Sequence, residues 1–180
     1  MRRLIRILAI VAIVLAVGRW SEGASAPDDS RDSYEGKRAK IVRVVDGDTL
    51  RVRLRTGGEA TVRLIGIDTP ETKRPGTPVE CGGPDATAHL ERRASGAGWV
   101  MLDTDESQDV TDRYDRVLAY VRTRRGVDLA AAQLRAGWAS TYVYGNDPFQ
   151  RYGAYARAER AARAHARGVW AACGGDFHAP

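Results

Sequence analysis

The sequence is poor in the residues that build metal cages and disulfide scaffolds. It has two cysteines, Cys81 and Cys173, and three histidines in 180 residues. That scarcity excludes a disulfide-dense miniature fold, and two cysteines so far apart are poor evidence for a zinc site. Only three of the 28 basic residues are lysines (37, 40 and 73), an arginine bias read most simply as the mark of a GC-rich coding genome. No fixed-period repeat is present, and the composition fits neither collagen, coiled coil nor wholesale disorder. The longest uninterrupted apolar run, Ile7 to Val17, is about half of the ~20 residues a spanning helix needs. What remains is the size and make-up of one ordinary domain with a real core.

The N-terminus has the layout of an export signal. Arg2, Arg3 and Arg6 precede the apolar run, and Ala24-Ser25-Ala26 supplies the small-residue cleavage pattern. Pro27 sits awkwardly after that cut, so an uncleaved anchor stands as the alternative. Without residues 1–26 the chain carries 24 basic and 22 acidic side chains, an excess too small for binding polyanions through the overall field. Any anion site must therefore be local. Export also bears on the cysteines: in an oxidising compartment one Cys81–Cys173 disulfide is expected, against two buried thiols or an intermolecular bridge. The domain plan is a signal peptide over 1–26, a flexible lead-in over 27–38, one folded domain over 39–173 and a tail over 174–180.

Within that domain, Ala39 to Val45 is β-rich and ends at the turn signal Asp46-Gly47-Asp48. Leu50, Val52 and Leu54 alternate with Arg51, Arg53 and Arg55, which places the apolar set on one strand face and the arginines on a solvated one. Thr56-Gly57-Gly58 turns the chain into a third strand over 59–67. Four prolines (70, 75, 78 and 84) mark a loop, followed by a helix over 85–94 with Pro84 near its first turn. Strands are expected over 99–102 and 117–121, a helix over 127–136 closed by Gly137, and a last helix from Asp147-Pro148 to near Gly168. The order β-β-β-α-β-β-α-(β)-α favours a small closed barrel over a parallel sheet.

The chemistry concentrates between Asp46 and Glu71. Asp-Gly is first a turn former. However, Asp68-Thr69-Pro70-Glu71 ends an apolar strand, and Arg63 interrupts the same strand one hairpin away from the acids. Phosphodiester cleavage needs this assortment. A hard cation on carboxylates neutralises the anionic ester and orients water. Guanidinium forks bind phosphate oxygens, and a further carboxylate orients the attacking water or takes its proton. Asp48 and Asp68 suit the cation, Glu71 the water and Arg63 the phosphate, with a second guanidinium in Asp112-Arg113-Tyr114-Asp115-Arg116. Oxygen ligands point to Ca²⁺ or Mg²⁺, and the residues alone do not choose between them.

These segments resemble the thermonuclease (staphylococcal nuclease-like) family. The resemblance rests on Val45-Asp46-Gly47-Asp48-Thr49, on Val62 to Glu71, and on Asp112 to Tyr120, with Gly137-Trp138-Ala139 and Tyr142-Val143-Tyr144 following in order. It implies an OB-like five-stranded antiparallel β-barrel with three helices, an α+β fold. It implies an exported, monomeric Ca²⁺-dependent nuclease, in the medium or cell envelope, that takes DNA and RNA as substrates with little sequence specificity and needs no stable protein partner. Asp48 and Asp68 would ligate Ca²⁺, with the Thr69 carbonyl, and Asp46 would stand behind them. Arg63 and Arg116 would hold the scissile phosphate, and Glu71 would serve as general base or orient the attacking water. Arg113, Tyr114, Tyr142 and Tyr144 would contact the nucleotide. Two departures matter: Asp115 places a carboxylate beside Arg116, and the 72–82 loop has few lysines. His89, His165 and His178 match no catalytic position and read as surface or helix residues. A non-catalytic nucleic-acid- or protein-binding module on the same fold is the alternative.

Overall fold

The computed structural model describes residues 32–73, 76 and 78–179. The expected signal peptide over 1–26 and the first residues of the expected lead-in lie outside them. Among the described residues no helix is long and apolar enough to cross a membrane.

Strict alternation in β2 (Thr49–Leu54) and β3 (Glu59–Leu64) sends Leu50, Val52, Val62 and Leu64 into the core at 0–1% exposure. With β1 (Lys37–Asp46), β5 (Trp99–Asp103) and β6 (Val117–Thr123) they form a closed barrel in the order β1-β2-β3-β6-β5. Four of its pairs are antiparallel, whereas β3 and β6 pair parallel, Val62 opposite Val117. The expected all-antiparallel barrel needs that correction, and the reason is arithmetic. Strand direction cannot alternate all the way round a ring with an odd number of members.

β1 starts at Lys37, two residues before its expected start, and the end of the lead-in is tied down. Tyr34 packs on the core, and Glu35 accepts hydrogen bonds from the amide and hydroxyl of Thr104. Two bulges bend β1 so that it reaches both β5 and β2.

The third strand also departs from expectation. It stops at Leu64 and resumes as β4 (Ile67–Asp68), which pairs with β7 (Ser140–Thr141). Gly66, at φ 77°, makes the break, and a Cβ there would lie 2.3 Å from the Phe149 ring. The kink swings Asp68 back towards Arg63.

Helices α1 (Gly83–Ala94), α2 (Leu129–Ala136) and α3 (Tyr152–Ala164) flank the barrel. Asp128 caps α2 by accepting from the Ala131 amide, and Gly137 closes it in the left-handed region. α3 begins four residues after Pro148 and ends before Ala166. A separate turn, α4 (Val169–Ala172), leads to Cys173. Cys173 is disulfide-bonded to Cys81, so the tail returns to the loop before α1.

Candidate active site

The turn after β1 brings the first acids into place. Gly47 sits there for closeness rather than for backbone freedom. A Cβ would fall 2.7 Å from the Thr69 hydroxyl and 2.9 Å from the Ala86 methyl. The Gly47 carbonyl accepts from the side-chain amide of Gln133 at 2.6 Å, and the same amide group donates to Ala86 O at 2.9 Å. Gln133 is wholly buried in α2, so one side chain fastens the acidic turn to two helices. Its carbonyl oxygen faces Nδ1 of His89, which therefore donates, while His89 Nε2 accepts from Arg93. Burial first, and the neighbouring Arg93 and Arg92, push the His89 imidazole down, keeping it neutral. His89 is thus a buried structural residue, as a non-catalytic reading of it requires.

Asp48 is buried, and Arg63 sets its surroundings. One Arg63 nitrogen, Nη1, donates to Leu64 O at 3.0 Å and Ile67 O at 2.7 Å. The other, Nη2, lies 3.0 Å from both Asp48 Oδ2 and Asp68 Oδ1. Thr69 donates its hydroxyl to Asp48 Oδ2 at 3.2 Å. The kink at Gly66 supplies the two carbonyls that orient the guanidinium, so the fold itself aims Arg63.

Glu71 is held by its own backbone and by a residue the motif reading passed over. Its Oε1 accepts from the amides of Thr72 (2.8 Å) and Lys73 (2.7 Å). Its amide donates to Glu80 Oε2 at 2.6 Å, and the Glu80 amide donates back to Glu71 O at 2.9 Å. Glu80 is 5% exposed, and the next residue is the disulfide-bonded Cys81. The tail completes this wall. Cys81 N donates to Ala179 O at 2.7 Å, and the His178 imidazole stands 3.5 Å from Glu80 and 3.8 Å from Asp68. His178 is a surface residue, as its reading has it, but one that lines the cavity, because the disulfide carries the tail to the site.

Arg116 comes from the other side, at the start of β6. Asp112 Oδ2 accepts from its Nε at 2.7 Å and pairs with its Nη2 at 2.7 Å. Burial pushes the Asp112 carboxyl up, but the bonds from Arg116 and Tyr114 outweigh it and hold it below the usual range. Asp115, feared as a competitor, is exposed in a left-handed turn at φ 59°; the carboxylate on Arg116 is that of Asp112. Tyr114 lies under both guanidinium groups, 4.8 Å from Arg113 and 5.3 Å from Arg116.

Asp46, Asp48, Arg63, Asp68, Glu71, Glu80, Arg116 and His178 share one open cavity of about 390 Å³, with Thr69 and Tyr114 also on its walls. Arg113, Tyr142 and Tyr144 stand outside it, the two tyrosines exposed on the loop after β7. A second cavity of about 350 Å³, between β7 and α3, gathers Glu159, Arg160 and Arg163 but no comparable set of opposed acids and arginines.

Two of the cavity's acids are held above the ordinary carboxylate range. Burial, then the neighbouring Asp48, pushes the Asp46 carboxyl up to about 6. Burial also raises Asp68, with Arg63 opposing and Asp48 adding to the rise. A bound dication would relieve both. Among the described residues no three His, Cys, Asp or Glu side chains converge into a ready-made cage. The carboxylates of Asp48 and Asp68, which share the cavity, are the groups that could hold a hard cation there.

A stability prediction follows from Asp46. With its carboxyl raised from 3.8 to about 6 by folding, ionisation costs the fold progressively as pH rises through that window. Asp46→Asn keeps an acceptor for the Asp48 amide and removes that cost. In EDTA its melting temperature should exceed that of the parent at pH 7.5, the gap narrowing as pH falls through the window and closing only well below 3.8, where the parent carboxyl is protonated in both states. A gap independent of pH would refute this account.

Comparison with known proteins agrees with the geometry. Residues 61–172 match the family model described as Staphylococcal nuclease homologue. The chain is 36% identical over 115 residues to the Thermonuclease of Staphylococcus hyicus and 37% identical over 115 residues to that of Staphylococcus intermedius. Each match covers 64% of this chain and 66% of the relative. It is 34% identical over 133 residues to Endonuclease YncB of Bacillus subtilis (strain 168), covering 73% of this chain and 60% of that protein. The matched part spans just under two thirds of the two thermonucleases. With its closed five-stranded barrel and its match over most of the folded domain, the chain belongs to the staphylococcal nuclease homologue family.

Proposed function

We propose that the chain is an exported, Ca²⁺-dependent nuclease that hydrolyses phosphodiester bonds of DNA and RNA with little sequence specificity. The observation that carries this reading is the meeting, in one cavity, of two arginines, two acids suited to a dication and a separate glutamate. The names of the relatives support nuclease chemistry, and the N-terminal sequence pattern and the disulfide support export.

Asp48, Asp68 and the Thr69 carbonyl would hold Ca²⁺. The ion supplies charge neutralisation at the phosphate and a site for ordered water. Glu71 accepts the proton of the attacking water, its carboxylate fixed by the Thr72 and Lys73 amides and its backbone by Glu80. Arg63 and Arg116 donate to the non-bridging oxygens, whose charge grows in the transition state. Both forks are already oriented, by carbonyls and by Asp112 respectively, so little reorganisation is needed. Tyr114 offers a ring beside both guanidiniums on which a base can stack without being identified.

Incubation of the purified chain with DNA or RNA, with Ca²⁺ and then with excess EDTA, tests the proposal on a gel. Degradation should appear only with the metal and return when Ca²⁺ is restored. Full activity in EDTA, or rescue by zinc but not calcium, would count decisively against it.

A further inference from the structure

The charge left outside the catalytic cavity is unevenly placed. Residues 64–180 carry fifteen basic and fifteen acidic side chains, whereas residues 37–63 carry eight basic and three acidic ones. Two of those three acids, Asp46 and Asp48, belong to the cavity. Along β1, β2 and β3 outside it, Glu59 is the one acid. The small positive excess of the domain is thus concentrated on three adjacent strands.

The register puts these charges on one surface. Arg63, Thr61 and Glu59 alternate along the outer face of β3, and their partners on β2 are Thr49, Arg51 and Arg53. One strand further out, Arg43 stands opposite Arg51 and Lys40 opposite Arg53. Beyond these, Lys40 faces Trp99 and lies 5.1 Å from its ring, which is 37% exposed. Same-face neighbours on a strand stand about 6.7 Å apart. The row therefore begins at the catalytic arginine and leads away from the cavity in regular steps.

Two features make this face more than a solvated one. Like charges directly opposite each other across strands destabilise a sheet. Here Arg43/Arg51 and Lys40/Arg53 are such pairs, with Glu59 bridging Arg51 (3.2 Å) and Arg53 (2.7 Å) as the carboxylate between them. A bound polyanion would offset that repulsion. Moreover, the outer face of the second and third strands is where OB barrels take oligonucleotides.

We propose that Arg51 and Arg53, flanked by Arg43, Lys40 and Trp99, form an extended subsite for the phosphates of a single-stranded polynucleotide whose scissile bond lies at Arg63. This rests on the nuclease reading and adds to it a preference for long single strands over short ones. Glu59 occupies the guanidinium forks in the free protein and gives way to phosphate, so it acts as a competitor for the substrate.

The test compares a single strand of about 30 nucleotides, enough to fill an OB-barrel site of roughly 4–16 nucleotides, with a trinucleotide. In the Arg51→Ser/Arg53→Ser variant, the ratio of kcat/KM for the long strand to that for the trinucleotide should fall about tenfold or more. Fluorescence anisotropy of the labelled long strand in EDTA should show weaker binding. Its dependence on log salt should be shallower by about 1.4, since each phosphate contact contributes about 0.7 on single strands. Glu59→Gln should tighten the same complex. Unchanged binding and salt slope, or an equal loss on both substrates, would overturn the subsite. Binding is read without metal, so the two readings fail separately. A parent chain that binds the long strand through Arg51 and Arg53 but cleaves nothing would refute the nuclease reading alone.

Discussion

Replacing Arg63 by lysine is expected to lower kcat by about 10²–10³-fold, the scale of a lost transition-state donor in a preorganised site. The argument begins with how Arg63 is held. Two backbone carbonyls and two carboxylates surround its guanidinium, and 13% of the side chain is exposed. A lysine keeps the charge but offers a single ammonium in place of a planar fork. It cannot satisfy Leu64 O and Ile67 O and also present two parallel donors to a phosphate. Arg116→Lys should behave alike, because Asp112 holds the Nε and Nη2 edge of that fork. KM for long substrates should move only a few fold in either variant, since other contacts bind the chain. Steady-state kinetics with saturating Ca²⁺, beside circular dichroism to show intact folding, decide the matter. A mere twofold effect in both variants would sink the phosphate-clamp role.

How far this site was legible in the sequence depends on the range of the interactions that build it. The arginine and leucine alternation of β2 is a local signal, and the structure follows it residue by residue. The order of elements was legible too, as was the single disulfide, because two cysteines leave one pairing. The break at Gly66 was not. Leu64-Ile65-Gly66-Ile67 reads as one apolar strand, and the Phe149 ring that packs on the glycine comes from far along the chain. Gln133 was hidden for a related reason, since a glutamine in mid-helix is by default a solvated residue. Only the fold shows that its amide ties Gly47 to Ala86. Glu80 and His178 lay in a proline-rich loop and a tail, places with no periodicity to read. The parallel pairing of β3 and β6, by contrast, could have been deduced by counting five strands around a closed ring.

Loss of the Cys81–Cys173 bond is the change expected to cost most stability. The cross-link spans a sequence separation of 92, and in the loop-entropy model restricting so long a segment of the unfolded chain is worth about 4–5 kcal/mol, an upper figure. For a domain of this size, at roughly 2–4 °C per kcal/mol, Cys81→Ser/Cys173→Ser should melt on the order of 10 °C lower. The structure adds a local consequence. Cys81 directly follows Glu80, which holds the Glu71 amide, and its own amide donates to Ala179 O beside His178. Opening the bond frees both sides of the wall that backs Glu71. Activity should therefore fall even at temperatures well below melting, where the variant is fully folded by circular dichroism, and the loss should appear in kcat more than in KM. Equal rates for oxidised and reduced enzyme in that range would leave the bond a stabilising role alone. Two free thiols in protein recovered from an oxidising compartment, found by mass spectrometry of non-reduced peptides, would remove both roles.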